Sequence, residues 1–433
     1  MPTASSAPAV IAAPPGEGAL LRGITFWPAT MLVVGNVIGS AIFLTTGGMV
    51  EALPSASLVL AAWFAGGLMA CAGGLTLAEM GAMLPRSGGI YVFLEEAYGP
   101  LIGFLFGWTM VLIVLPGGTA AVAVGFAESF SYFFPALSTA HVVATIPLPL
   151  GALSISAAQV LGALSIAALA AANLANVAVA SRLAALVTML KIVAVVAIPV
   201  VAIAAWPHAP ALTPIVPAVA RPFAAFGVAM IAVMWAYEGW AYLAFAAGEV
   251  HDPARTLPRA FIYGTLGIMA VYLLVNVGYF VALPLDAISG EMRVAEKAMG
   301  AVVGPLGASI VAAIVCLSTL GCNMSALLAV SRAGYAMAAD GMFFRFAALV
   351  HPRTRVPHGA LLGLAGWSCA LTLSGSYEQL FTYVMFAAVL FNVLAGLAIF
   401  RLDSRKKLRR RTGSLTSCGR GRQKSIRTFQ ILC

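Results

Sequence analysis

The sequence predicts an all-α integral membrane protein: ten transmembrane helices in two five-helix repeats of inverted topology, with helices one and six broken at their centres. Three observations predict it. Of 433 residues, 61% are hydrophobic and 9% charged, with a mean hydropathy of +0.99, which is too little charge to cover a soluble domain. Apolar runs of roughly 20 residues, the length a helix needs to cross hydrocarbon, recur along almost the whole chain. The first and sixth of these runs are interrupted by small and polar residues, the same place in each set of five, as duplication with inverted insertion produces.

In order, the runs cover 27 to 50, 56 to 82, 98 to 132, 153 to 177, 183 to 205, 223 to 247, 259 to 282, 302 to 337, 358 to 374 and 379 to 400. The third and eighth are long, which predicts tilt or helix continuing past the hydrocarbon. They make a core at 23–400, with one repeat at about 27–205 and the other at about 223–400. Residues 1–22 have no basic n-region, and their short apolar run is broken by Pro14 and Pro15. This reads as a disordered lead-in, not a signal peptide.

The net charge of +9 belongs to a tail. Eleven of the 24 Lys and Arg lie from Arg401 onward with one acid, Asp403, leaving 13 basic against 14 acidic residues elsewhere. A nucleic-acid surface is therefore not implied. Among the connections, Arg22, Arg86, Arg182, Arg255 with Arg259, then Arg332, Arg345, Arg353 and Arg355, and finally the 401–433 tail fall on alternate sides. The positive-inside rule puts these, and both termini, in the cytoplasm. The opposite connections hold Arg221, Arg293 and Lys297, the last two among Asp286, Glu291 and Glu296.

Three features are costly in hydrocarbon. The first is the interruption Gly35 to Ser40 in "MLVVGNVIGSAIFLTTGGMV", matched in run six by Glu238 and Gly239 within "MWAYEGWAYLAFAAGEV". An unwound turn exposes N–H and C=O groups that lipid cannot satisfy, so it must line a protected cavity or bind something polar. Helix N-termini attract a carboxylate and freed carbonyls accept from an ammonium, so two facing breaks suit a zwitterion. Gly and Ser as a close-packing helix interface is the competing reading. The second feature is Lys191, nine residues beyond Arg182; it either faces the bundle interior and donates to carbonyls or snorkels to the cytoplasm. The third is Glu238, a candidate counter-charge, proton carrier or cap of the broken helix. Trp235 and Tyr237 beside it are packing aromatics or walls of a pocket.

No catalytic constellation accompanies these residues. His141, His208, His251, His351 and His358 lie in connections or at span ends, and neither a Walker-type loop nor a dinucleotide fingerprint occurs. No cofactor or metal is implied. Cys71, Cys316, Cys322 and Cys369 fall in or beside apolar runs, with Cys418 and Cys433 in the tail, and read as small packing residues.

The stretches "GNVIGSAIF" (35–43), "LAEMGAMLPRSGGIYVFLEEAYGP" (77–100), "AYEGWAYLAFAAGEVHDPARTLPRA" (236–260) and "LSTLGCNMSALLAVSRAGYAMAADGMF" (317–343) resemble, in order, motifs of the amino acid-polyamine-organocation (APC) superfamily. Within it they are most similar to bacterial relatives of L-type amino acid exchangers. The resemblance implies a LeuT-type fold and amino acid transport by alternating access, for neutral substrates and without sodium. Carriage of cationic amino acids or amines is the alternative, as is a truncated protein that does not transport. It implies that backbone around Ile38, Gly39, Ser40, Ala41 and Ile42 receives the substrate carboxylate. Carbonyls near Trp235, Ala236 and Glu238 would complete the amino site, Trp235 would be the gate, and Lys191 would stand in for a sodium ion. Ala41 occupies a place where the family usually has Gly.

The expected partners are the amino acid and membrane lipid, with no nucleic acid and with subunit composition open; the expected location is the inner (plasma) membrane. Family members usually have two further spans. Here the basic segment 401–433 follows instead, which reads as a frameshifted or truncated end, with a native tail as its rival.

Overall fold

The computed structural model describes residues 24–412, apart from 85–88, 150, 176, 206–220, 246, 248–249, 340 and 352–355. Expectations for the lead-in 1–22, for Arg86, His208, Arg353 and Arg355, for the side chain of Arg182, and for 413–433 with Cys418 and Cys433 lie outside the described residues.

Span one is built from α1 (Phe26–Val37), α2 (Ala41–Leu44) and α3 (Thr46–Ala52). Helix α4 (Ala56–Met83) follows, started by Ser55, whose hydroxyl accepts from the Leu58 amide and so satisfies a donor left orphan at the helix start. After α5 (Gly89–Tyr98), span three runs as α6 (Pro100–Thr109), a five-residue π-helical turn at Met110–Val114, and α7 (Leu115–Phe130). The wide turn ends two residues before Pro116, which has no N–H to donate into the preceding turn. Helices α8 (Ala157–Ala175), α9 (Val177–Ala205), α10 (Pro222–Tyr237) and α11 (Tyr242–Phe245) lead to α12 (Pro253–Ala282). The short α13 (Leu285–Ile288) and α14 (Val294–Val303) precede α15 (Pro305–Ala339), α16 (His358–Ser374) and α17 (Tyr377–Thr412).

Among the described residues, seven stretches, Phe26–Leu44, Ala56–Met83, Pro100–Phe130, Ala157–Leu174, Pro253–Ala282, Pro305–Tyr335 and Tyr377–Leu402, are long and apolar enough to cross a membrane. Of the ten spans expected, number five lies on the 29-residue α9, and numbers six and nine fall on shorter helices, Pro222–Tyr237 and the 17-residue α16. Helix α17 runs unbroken past position 400 to Thr412. After α7, β1 (Val142–Leu148) and β2 (Gly151–Ser156) form an antiparallel hairpin, with Leu148 opposite Gly151. Its β-branched residues Val142, Val143, Thr145 and Ile146 suit a strand, and a hairpin needs only main-chain partners.

Helices in matching places of the two repeats pack on each other: α4 on α12, α7 on α15, and α8 on α16. This is the contact pattern of two bundles interlocked about a pseudo-twofold axis. At the centre, Trp63, Tyr237 and Tyr272 are fully buried with ring centroids 5.3–6.0 Å apart. Large apolar side chains such as Leu101, Val200, Leu306 and Phe386 point outward, as a lipid-facing perimeter requires.

Candidate functional site

Helix α1 stops at Val37, and Ile38, with ψ at 92°, turns the chain out of helical geometry until α2 begins at Ala41. The gap is three residues. The Thr45 amide donates to Ala41 O and the Met49 amide to Thr45 O, so the hydrogen-bond ladder links α2 to α3 as one outer arm. Among the described residues, the amides of Gly39, Ser40, Ala41 and Ile42 have no main-chain partner. They are the donors an α-helix start leaves open. Ala41 sits in the first helical turn, where L side chains are at ease, so the arm does not need the family's glycine for backbone reasons.

Span six breaks opposite. Helix α10 ends at Tyr237, Glu238 turns with ψ at 140°, and Gly239 takes φ +116° before α11 starts at Tyr242. The two breaks touch through Gly239. A Cβ there would lie 2.5 Å from Asn36 O and 3.2 Å from Val37 N. Close approach and positive φ both demand glycine.

Side chains from other spans hold the breaks. Lys191 on α9 is buried, and its Nζ donates to Gly35 O at 3.1 Å and to Cys322 Sγ at 3.7 Å. It therefore reaches inward to the last turn of α1 instead of snorkelling. The Tyr272 hydroxyl on α12 stands 2.9 Å from Val37 O and 3.2 Å from Ala236 O, a donor shared by one carbonyl of each broken helix. Tyr279, two turns further, donates to Ile42 O at 3.3 Å. Between them, Asn276 Oδ1 accepts from Thr46 Oγ1 at 2.8 Å, which fastens the outer arm to the same helix.

Trp235 stands at the end of α10 with its Nε1 donating to Tyr377 Oη at 3.0 Å, stacked on Phe381 at 6.0 Å and 12°. It faces Gly118 of span three, where a Cβ would sit 3.5 Å from its ring. Ala236 is buried, and Trp235 O accepts the Glu238 amide at 3.1 Å. The Glu238 side chain makes no cap: its Oε2 is buried and has no partner among the described residues. An apolar cavity of about 670 Å³ lies to one side, between α4, α10 and α17, lined by Met69, Met230, Trp240 and Phe386. It offers little polar surface and is not where the breaks meet.

The structure thus brings Ile38, Gly39, Ser40, Ala41 and Ile42 together with Trp235, Ala236, Glu238 and Lys191 around one junction. Sequence reasoning passed over Tyr272, Asn276, Tyr279 and Tyr377. The first three were detectable as a polar stripe at i, i+4 and i+7 of an apolar run. Among the described residues, no group of three or more His, Cys, Asp or Glu could hold a metal ion.

Two broken helices apposed at mid-span fit a known set of proteins. The family model for amino acid permeases matches residues 24–422. This chain belongs to the amino acid permease family. The serine/threonine exchanger SteT of Bacillus subtilis is 28% identical over 403 residues, covering 92% of this chain and 87% of SteT. The Asc-type amino acid transporter 1 of Mus musculus is 29% identical, with 85% of this chain and 68% of the transporter covered. The b(0,+)-type amino acid transporter 1 of Mus musculus is 27% identical, with 91% and 77% covered. Among solved structures, the inward-facing conformation of Mhp1 aligns with a TM-score of 0.55 at 16% identity, over 90% of this chain and 78% of Mhp1. That likeness gives the permease its LeuT-type fold, a multi-pass membrane architecture.

Proposed function

We propose that the permease is a secondary active transporter that exchanges neutral amino acids by alternating access without sodium, in the inner membrane with both termini cytoplasmic. The observation that carries the reading is the junction of two broken helices, where unpaired amides and carbonyls meet in a site closed to lipid. The amides of Ser40 to Ile42 would receive the substrate carboxylate, with the Gly39 amide beside them already facing the Tyr272 hydroxyl. Carbonyls at Ile38 and Glu238 would accept from its ammonium, since Val37 O and Ala236 O already face Tyr272 and Trp235 O already takes the Glu238 amide. Trp235, leaning on span ten through Tyr377 and Phe381, would be the gate that moves when substrate is enclosed. An ammonium already at Gly35 O does the work a sodium ion would do there, neutralising carbonyl dipoles between spans one and five. Exchange is supported by one relative, SteT, which is by name a serine/threonine exchanger.

Purified permease in liposomes loaded with unlabelled amino acids tests this by uptake of labelled substrate across a panel, in sodium and in choline buffer. Counterflow of small neutral amino acids in both buffers is expected; none with any amino acid, or strict sodium dependence, refutes the reading. The unpartnered Glu238 carboxylate favours a second reading, carriage of cationic amino acids or amines. Glu238→Gln spares neutral substrates and cripples cationic ones if that is correct, and equal loss of both counts against it.

A further inference from the structure

Glu296 lies on α14, in the connection between α12 and α15, outside the spanning segments. It is 2% exposed, and neither carboxylate oxygen has a hydrogen-bond partner among the described residues. The polar groups facing it come from each side. Ser129 belongs to α7 and Arg293 precedes α14; both act on the carboxylate, and the buried Ser129 Oγ and Arg293 Nε make no hydrogen bond of standard geometry to another group among the described residues. Tyr279 of α12 and Cys316 of α15 share the site, with Glu291 farther along the loop.

Helices α2 and α9 also pack on α14. Helix α2 carries no titratable side chain; those of α9 are Arg182 and Lys191, and Lys191 is taken by Gly35 and Cys322. Lys297 is turned to Ala287 O and Glu291 Oε2, and Glu128 to Thr139. Burial pushes the Glu296 carboxyl up to about 7, with Ser129 and Arg293 pulling the other way.

The seat of α14 is tied to the broken helix. Tyr279, beside Glu296, donates to Ile42 O in the outer arm, and the Gly290 amide donates to Gly47 O at 3.0 Å. A Cβ on Gly47 would run into the Glu291 backbone. Movement of α2 and α3 therefore unseats the loop and admits water to Glu296.

We propose that Glu296 is a proton-binding site that couples pH to opening of this face: neutral, it keeps α14 seated on the outer arm of span one, and ionised, it releases it. The sign follows from linkage. The seated state binds the proton more tightly than the opened state, where the carboxyl returns toward its ordinary value of 4.5, so acidification through pH 7 favours the seat. Between pH 8 and pH 6 the seated-to-open ratio rises about tenfold.

The inference rests on the transporter reading only for its consequence, so the test has two readouts. Infrared difference spectra of the permease in lipid between pH 8 and pH 6 show a buried carboxylic-acid C=O band that shifts in Glu296→Asp and in Tyr279→Phe. Counterflow at pH 6 and pH 8 differs by several-fold up to tenfold in the wild type and is flat in Glu296→Gln. A missing band, a band unmoved by both substitutions, or a Glu296→Gln variant with the wild-type pH profile overturns the proposal. Absence of counterflow at every pH sinks the transport reading, while the band still decides Glu296.

Discussion

Gly239→Ala tests the junction of the two breaks directly. At φ +116° an L residue is strained, which costs about 1–3 kcal/mol. The added methyl would also lie 2.5 Å from Asn36 O and 2.8 Å from its carbonyl carbon. Those atoms are backbone and cannot rotate aside, so overpacking adds about 1–3 kcal/mol. Together the change costs roughly 2–6 kcal/mol, against native stabilities of about 5–15 kcal/mol. The same substitution at Gly227, on α10, meets nothing within 4 Å and gains up to about 1 kcal/mol of helix propensity. Melting of both variants in detergent, with counterflow in liposomes, compares them. Gly239→Ala is expected to melt several degrees lower and lose transport, and Gly227→Ala to match or exceed the parent in stability. If the two variants behave alike, the breaks do not depend on this contact.

Lys191→Met removes a charge-assisted hydrogen bond worth about 1.5–3 kcal/mol and with it the cost of burying an ammonium. Folding is therefore expected to survive while uptake falls at least about tenfold, measured as initial rate; wild-type uptake by a folded Met variant argues against coupling of spans five and one through this residue. Tyr272→Phe leaves Val37 O and Ala236 O without their shared donor, at about 1–3 kcal/mol. Its KM in counterflow rises while helicity by circular dichroism is unchanged; an unaltered KM would mean that these carbonyls need no fixing.

The breaks were legible because they are written locally. Glycine, serine and a glutamate inside an apolar run disfavour continuous helix wherever the run is placed, and their recurrence in runs one and six points to the repeat. Span ends were less legible: periodicity fixes where apolar runs occur, while caps and neighbouring helices fix where each helix starts and stops, so run four, expected from 153, begins as helix at Ala157 after β2. The hairpin at 142–156 escaped because its strands are only seven and six residues long and pair only with each other.

Composition and residue order by themselves determined that this chain lives in a membrane, that two of its helices break, and that Lys191 and Glu238 have unusual positions. All three are facts about single segments and the solvent they must face. Only the tertiary structure decided who answers them. It joined Lys191 to Gly35, Gly239 to Asn36 and Tyr272 to both breaks, and it buried the Glu296 carboxylate between α7, α12 and α15. Those contacts span up to 235 residues of sequence. They depend on helix rotation and approach, which packing sets and no local pattern records.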